Sequence, residues 1–329
     1  MIKKLLLILI VLILAGCAGM YNSDDDVSSS TTYNAVAAEG ELLEYTLDVT
    51  NLTYSYKVTS SALGINNDTH TGTLIKNADG TYTPSLVTNA KVLILPNKLV
   101  VGVTKLNING SDRYTLIVGV PTTTNVQFSD ISGAYNYVSL QCLTSACNNS
   151  TGDPESAYGT FNIDTSGNWV ECTRSNYTAN PSNCAGRDSG TLNSLGNGRF
   201  QILSGSTDMG TGMFYHSPSG QKIMIVDLKN YLGNYGRGMI FGVPQKAIAL
   251  GASIDGEYFV NTTKDYFVKS TVSGNIYTES GVNYTITVNT PWIGLSDVAG
   301  GYAILADEGT FMWAPKSSPE DRLAVGLKK

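Results

Sequence analysis

Beyond about residue 40, the apolar residues of this chain recur at every second position. Tyr45-Thr46-Leu47-Asp48-Val49, Tyr135-Asn136-Tyr137-Val138 and Thr285-Ile286-Thr287-Val288 all alternate, and no apolar stripe of helical period runs longer than two turns. Alternation places successive side chains on opposite faces of an extended strand. Turn signals divide the runs: Asp79-Gly80, Asn109-Gly110, Ser166-Gly167-Asn168, Asn197-Gly198, Ser219-Gly220 and Ser273-Gly274-Asn275. Short glycine-bearing turns between alternating runs mark hairpins, so the sequence predicts an all-β protein of consecutive antiparallel meanders. The 34 glycines and 19 tyrosines fit that class, since glycine supplies turns and aromatic side chains suit a pleated surface.

The strands fall into three comparable sets, a weak internal repeat. The sets close on Leu116-Ile117-Val118-Gly119-Val120-Pro121, Met239-Ile240-Phe241-Gly242-Val243-Pro244 and Leu323-Ala324-Val325-Gly326-Leu327. Two openings match as well, Ile131-Ser132-Gly133-Ala134-Tyr135 and Ile254-Asp255-Gly256-Glu257-Tyr258. An apolar hairpin precedes each close: Val92–Leu95 with Leu99–Val103, Met213–Tyr215 with Lys222–Val226, and Tyr302–Leu305 with Thr310–Trp313. The expected modules are 41–125, 126–246 and 247–329. Each is expected to curl into a small barrel or pair as a sandwich, the two arrangements that protect strand edges.

The first seventeen residues have a different character. Lys3 and Lys4 precede an unbroken apolar run from Leu5 to Leu14, and Leu14-Ala15-Gly16-Cys17 follows. The run is too short to span a bilayer, which takes roughly 20 residues, but it suits a secretory segment. This stretch resembles a bacterial lipoprotein signal with its lipobox, and the resemblance covers residues 1–17 alone. It implies cleavage after Gly16, a diacylglycerol on the Cys17 thiol, and acylation of the new amine. Two or three acyl chains anchor stably where one holds only marginally. In lipoproteins an Asp after the lipidated cysteine retains the protein at the inner membrane; Ala18 stands there instead, which favours the outer membrane. A lipid anchor and short turns at both ends of the strands argue against an outer-membrane barrel. Residues 17–40, rich in Ser, Thr and Asp without hydrophobic period, read as a tether with a span of roughly 25–30 Å. Asp24, Asp25 and Asp26 read as a solvated run, and the sequons at Asn51, Asn109 and Asn261 as composition.

Of the 329 residues, 42% are hydrophobic and 15% charged, enough for a sizeable core and too apolar for a disordered chain. Loss of the signal would leave 19 basic against 27 acidic residues, a net charge of −8. With no basic cluster, nucleic acid is not an expected partner.

Known catalytic patterns are absent from the sequence: no nucleophile elbow, phosphate-binding glycine loop, His-Glu-x-x-His or Cys-x-x-Cys. Neither a cofactor nor a metal is expected. His70 lies near Asp68 but reads as a turn residue; His216 and Ser217 would point to opposite faces of a strand and read as turn residues before Pro218. Asp307-Glu308, Asp153 with Glu155, and Asp188 are the acid candidates for a glycosidase, which needs two carboxylates facing each other at roughly 5–10 Å. Among the aromatics, Trp169 and Trp313 fit a core, while Trp292, after Pro291, is the candidate for an exposed stacking platform.

Four further cysteines, Cys142, Cys147, Cys172 and Cys184, all fall in the middle module. Export favours disulfides over zinc, and in an up-and-down meander an intervening strand separates the two cysteine-bearing strands. The expected pairs are therefore Cys142 with Cys147 and Cys172 with Cys184, shaping two loops as a recognition surface. The leading functional expectation is a non-enzymatic, lipid-anchored envelope protein that binds or scaffolds a protein or glycan at the membrane surface. A secreted hydrolase of cell-wall glycan, or a lipid or small-ligand carrier, is the alternative; a closed apolar cavity inside one module would favour the carrier.

Overall fold

The alternating runs become strands in three successive meanders. The computed structural model describes residues 30–329 except 88, 96–97, 109, 123–125, 142–154, 173–177, 179, 217–219, 230–235, 264–265, 307–308 and 317–322. The first unit comprises β1 (Thr31–Ala37), β2 (Glu41–Asp48), β3 (Thr53–Ser61), β4 (Thr69–Lys76), β5 (Tyr82–Pro84), β6 (Leu93–Leu95), β7 (Leu99–Ile108) and β8 (Ser111–Pro121). The second comprises β9 (Gly133–Gln141), β10 (Glu155–Ile163), β11 (Asn168–Cys172), β12 (Arg187–Gly196), β13 (Arg199–Ser204), β14 (Thr207–His216), β15 (Lys222–Leu228) and β16 (Gly238–Pro244). The third comprises β17 (Gly256–Thr262), β18 (Tyr266–Ser273), β19 (Ile276–Glu279), β20 (Val282–Thr285), β21 (Thr287–Val288), β22 (Ser296–Val298), β23 (Gly301–Ala306), β24 (Thr310–Pro315) and β25 (Ala324–Lys328).

In every unit the last strand returns to pair with the first, and neighbours in sequence pair in space except β5 with β6 and β20 with β21. The second unit is a closed barrel. The first lacks closure only between β5 and β6, where Tyr82 and Val92 make a single antiparallel bridge. In the third, β20 pairs with β19 while β21 pairs with β22, so one nearly continuous stretch joins the two ends of the sheet. Of the expected turns, Asp79-Gly80, Gly167 and Asn197-Gly198 lie between consecutive strands, while Asn109 and Ser219 are outside the described residues. Asn197 and Gly198, linking β12 to β13, both take positive φ, 54° and 72°, as a tight hairpin turn requires.

Register makes the repeat explicit. Tyr33 pairs with Pro121, Tyr135 with Pro244 and Tyr258 with Lys328. The closing glycines Gly119, Gly242 and Gly326 oppose Ala35, Tyr137 and Val260. The matching openings share one bond: the Tyr135 hydroxyl donates to the Ile131 carbonyl at 2.6 Å, and that of Tyr258 to Ile254 at 2.7 Å.

Burial separates the two faces of the opening, closing and apolar-hairpin strands. One face lines the interior of its own unit: Tyr33, Ala35 and Ile117 in the first, Tyr135, Phe214 and Val226 in the second, Tyr258, Phe311 and Ala324 in the third. The other face joins one apolar core common to all three, with Val36, Val101 and Val118 meeting Val138, Ile225 and Phe241, and Ile304, Met312 and Val325. The apolar hairpins are apolar because both their faces are buried. Fully burying one such side chain contributes about 1.5–3 kcal/mol, and a unit separated from the others would expose its share of this core.

This double burial also corrects the tether. Residues 31–37, expected to be flexible, are β1, a central strand between β2 and β8. Tyr33-Asn34-Ala35-Val36-Ala37 shows no polar–apolar alternation because every one of these residues is buried.

Hydrogen bonds at the junction run head to tail. Asn34 Nδ2 of the first unit donates to the Asn197 carbonyl of the second at 3.4 Å. Asn136 Nδ2 of the second donates to the Ile293 carbonyl of the third at 2.8 Å. Asn261 Nδ2 of the third donates to the Lys91 carbonyl of the first at 3.0 Å. Each opening strand thus holds the next unit, a heterologous contact that closes into a ring after three steps.

Candidate functional site

An eight-stranded barrel has an interior that side chains almost fill, so polar groups inside it stand out. The third strand of each unit supplies one row. Tyr45 pairs with Tyr56 in the first unit, Phe161 with Glu171 in the second and Ser270 with Glu279 in the third. Tyr45, Phe161 and Ser270 are themselves the partners of the opening tyrosines. Tyr56, Glu171 and Glu279 are therefore equivalent positions, and two of the three units carry a glutamate facing inward. Both were overlooked in the sequence, although each stands two residues after an aromatic, Trp169 or Tyr277, and so shares its face.

Glu171 lies inside the closed barrel beside a cavity of about 60 Å3, walled by Phe161, Trp169, Phe214, Met224 and Ile240 among others. Burial pushes its carboxyl up to about 7; the Tyr137 hydroxyl, which donates to it, opposes the shift, and the Asp188 charge adds to it. Asp188 is its cross-strand partner on β12, exposed at the rim. Glu171 and Asp188 stand opposite each other on adjacent strands, but about 60 Å3 is room for about two water molecules and admits no sugar ring. It is also far below the roughly 300–1,000 Å3 of a ligand pocket.

Glu279 occupies a different setting. It is half-buried and accepts a hydrogen bond from the Tyr277 hydroxyl. A cavity of about 110 Å3 adjoins it, lined also by Tyr284, Phe311 and Trp313.

A third group of acids sits where the first and second units meet. Arg237, 2% exposed, donates through Nη1 to the Glu39 carbonyl at 3.0 Å and to Glu39 Oε2 at 2.6 Å. Arg113 Nη1 stands 3.5 Å from the same oxygen. Glu41 is wholly buried; desolvation, then the charges of Asp227 and Glu39, raise its pKa well above the ordinary value, against the pull of Arg237. Asp227 on β15 is likewise raised by burial and by Asp208, with Lys229 opposing. Glu41 Oε2 and both Asp227 oxygens lack a hydrogen-bond partner among the described residues. The turn entering this seam needs Gly40: its φ is 87°, and a Cβ there would come within 2.7 Å of the Gly238 nitrogen.

The remaining sequence candidates are placed as follows. Cys17, Cys142 and Cys147 lie outside the described residues, as do Asp153, Asp307 and Glu308. Cys172 and Cys184 are both buried free thiols and are neighbours: burial first, then the adjacent Cys172, pushes the Cys184 thiol up to about 11. His70 is in strand β4 rather than a turn; its Nε2 lies 2.9 Å from Asp68 Oδ2 and its ring stacks on Tyr56. No cluster of three or more metal-ligating side chains occurs among the described residues. Trp169 and Trp313 are buried. Trp292 is not a platform: it is half-buried at the junction, where its indole N–H donates to Asn136 Oδ1 at 2.7 Å and its ring packs near Tyr158. Proline before it describes a loop in sequence, and the flanking Pro291 and Ile293 are exposed, but the indole itself packs on the second unit.

No family model matches the chain, and no curated protein matches it. Among solved structures, it is similar to the DNA polymerase III beta chain of Streptococcus pneumoniae TIGR4 (8% identity, 92% of each chain, TM-score 0.12). It is also similar to the beta subunit of DNA polymerase from Streptococcus pyogenes (9% identity, 94% of each chain, TM-score 0.11). At these TM-scores neither likeness carries an argument about fold or function.

Proposed function

We propose that this chain is a lipid-anchored envelope protein, bound to the outer membrane through Cys17, whose fused barrels form a non-enzymatic platform for an envelope protein or glycan. Leu14-Ala15-Gly16-Cys17 after an apolar run is the observation that carries this reading. β1 begins at Thr31, with thirteen residues between it and Cys17, so the chain between them can reach at most about 50 Å, which bounds the distance of the platform from the bilayer. The common core supports a scaffold, because it holds three units in fixed relation. The small cavity in the second unit favours this reading over a lipid carrier.

Cys17→Ser is expected to abolish lipid labelling and the cleavage that depends on it, and to move the protein to the aqueous phase in detergent partitioning. Continued partitioning with detergent would show another attachment. Cross-linking in native membranes is expected to give one discrete partner that is lost in Cys17→Ser; cleavage of a glycan panel by the purified protein, with no partner, would replace the platform with a hydrolase.

Oxidation in the envelope joins Cys172 to Cys184, closing a loop that stabilises by less than the roughly 3 kcal/mol of a 15-residue one. Peptide mapping of the unreduced, exported protein is expected to recover this cross-link. Recovery of both cysteines as alkylated free thiols, or of either joined to Cys142 or Cys147, overturns the assignment.

A further inference from the structure

The cavity of the third unit combines three features; its counterpart in the second unit shares the acid held by a tyrosine and the fixed indole, Trp169 Nε1 donating to the Leu203 carbonyl at 3.1 Å, but is smaller and more deeply buried. Its aromatic wall is continuous: the Tyr277 ring lies 6.2 Å from Tyr284 on one side and 5.5 Å from Phe311 on the other, the latter pair nearly parallel at 21°. The Trp313 indole N–H donates to the Val298 carbonyl at 2.8 Å, which fixes the indole. A carboxylate, Glu279, borders the same space and is held there by the Tyr277 hydroxyl. In the second unit the equivalent Glu171 is buried against a smaller, almost wholly apolar cavity. In the first, the equivalent residue is Tyr56, whose hydroxyl donates to the Lys105 carbonyl.

Aromatic faces carry negative charge density and attract cations, and rings grouped with an acid are the usual means of holding a quaternary ammonium. Size and hydrogen bonding narrow the class. The cavity of about 110 Å3 is somewhat below the roughly 150 Å3 that accommodates benzene, and a trimethylammonium group has two heavy atoms fewer than benzene. A primary ammonium brings three donors that need acceptors, whereas a quaternary ammonium brings none and asks only for charge and π surface. We propose that this pocket binds the trimethylammonium group of a choline-like ligand, with Tyr277, Tyr284, Phe311 and Trp313 as the cage and Glu279 as the counter-charge. A free choline-like solute and the headgroup of a choline lipid share this chemistry. The proposal does not rest on lipidation of Cys17, so its failure would leave the platform reading in place.

The test is titration of the intact Cys17→Ser chain with choline, read by saturation-transfer difference NMR, alongside 3,3-dimethylbutan-1-ol, its uncharged carbon isostere. Saturable choline binding is expected, with the isostere weaker by about tenfold or more. Glu279→Gln and, separately, Tyr284→Leu at the half-buried mouth are each expected to weaken choline by about tenfold, with unchanged thermal melting as the control for folding. Sedimentation with phosphatidylcholine but not phosphatidylglycerol vesicles assigns the lipid headgroup as source; choline binding without vesicle binding assigns the free solute. Absence of saturable choline binding, equal binding of the isostere, or choline binding untouched by both substitutions overturns the proposal.

Discussion

Arg237→Met is expected to lower the stability of the chain by about 3–5 kcal/mol, the usual consequence of removing one partner from a buried ion pair. Arg237 is 2% exposed and its partner Glu39 is 17% exposed at the side chain, with 2.6 Å between them. Without the guanidinium, the Glu39 carboxylate keeps only the longer contact to Arg113, and Glu41 loses the one nearby charge that favours its ionised form. The damage falls on the seam between the first two units, and because all three share a core it should appear as a single shifted denaturant midpoint. Equilibrium unfolding in urea measures it. Glu39→Gln in the same chain should restore part of the loss, since the stranded charge is then gone. A loss below about 1 kcal/mol, typical of surface ion pairs, would mean that water enters the seam.

Glu171→Gln should change the pH dependence of stability more than stability at any single acid pH. The folded-state pKa of Glu171 is about 7 against an ordinary 4.5, and burial is the main cause. Between those values the folded chain binds more proton than the unfolded chain, so this group's contribution declines as pH rises through the window and is constant outside it. A displacement of that size corresponds to about 3 kcal/mol at 1.36 kcal/mol per pH unit. Glutamine keeps the shape and still accepts from Tyr137, but it does not ionise. The variant should match the parent near pH 4 and exceed it by about 3 kcal/mol at pH 8. Glu41 and Asp227, also raised by burial, act alike in both proteins, so the difference between the two pH curves isolates Glu171. Parallel curves would place the carboxylate in contact with solvent.

Much of the architecture was legible because it is local. Turn residues such as Asn197-Gly198 adopt the left-handed backbone they encode, and alternating runs form strands whatever lies beyond them. The closing runs at Gly119, Gly242 and Gly326 could be matched by eye because one tight packing demand recurs: a Cβ at these positions would approach Val100 to 2.8 Å, Met224 to 3.0 Å and Val260 to 3.0 Å. The acids inside the barrels were harder to find. A single glutamate in an alternating strand looks the same whether it faces water or the interior. Only its phase with Trp169 or Tyr277 distinguishes Glu171 and Glu279, and that phase becomes informative once strand pairing is known.

By itself, then, the chain's sequence determined the all-β class, the order of the meanders and their threefold recurrence, since period and turn chemistry act over a few residues. Tertiary structure alone decided which faces were buried twice. Thr31–Ala37 looked like tether because a strand buried on both faces loses its alternation, and β1 is buried between the interior of the first unit and the common core. Trp292 looked exposed because its cover, Asn136 and Tyr158, comes from more than 130 residues earlier. Glu41, Asp227 and Arg237 meet for the same reason: residues scattered along the chain acquire a shared low-dielectric environment only when separate units close on one another.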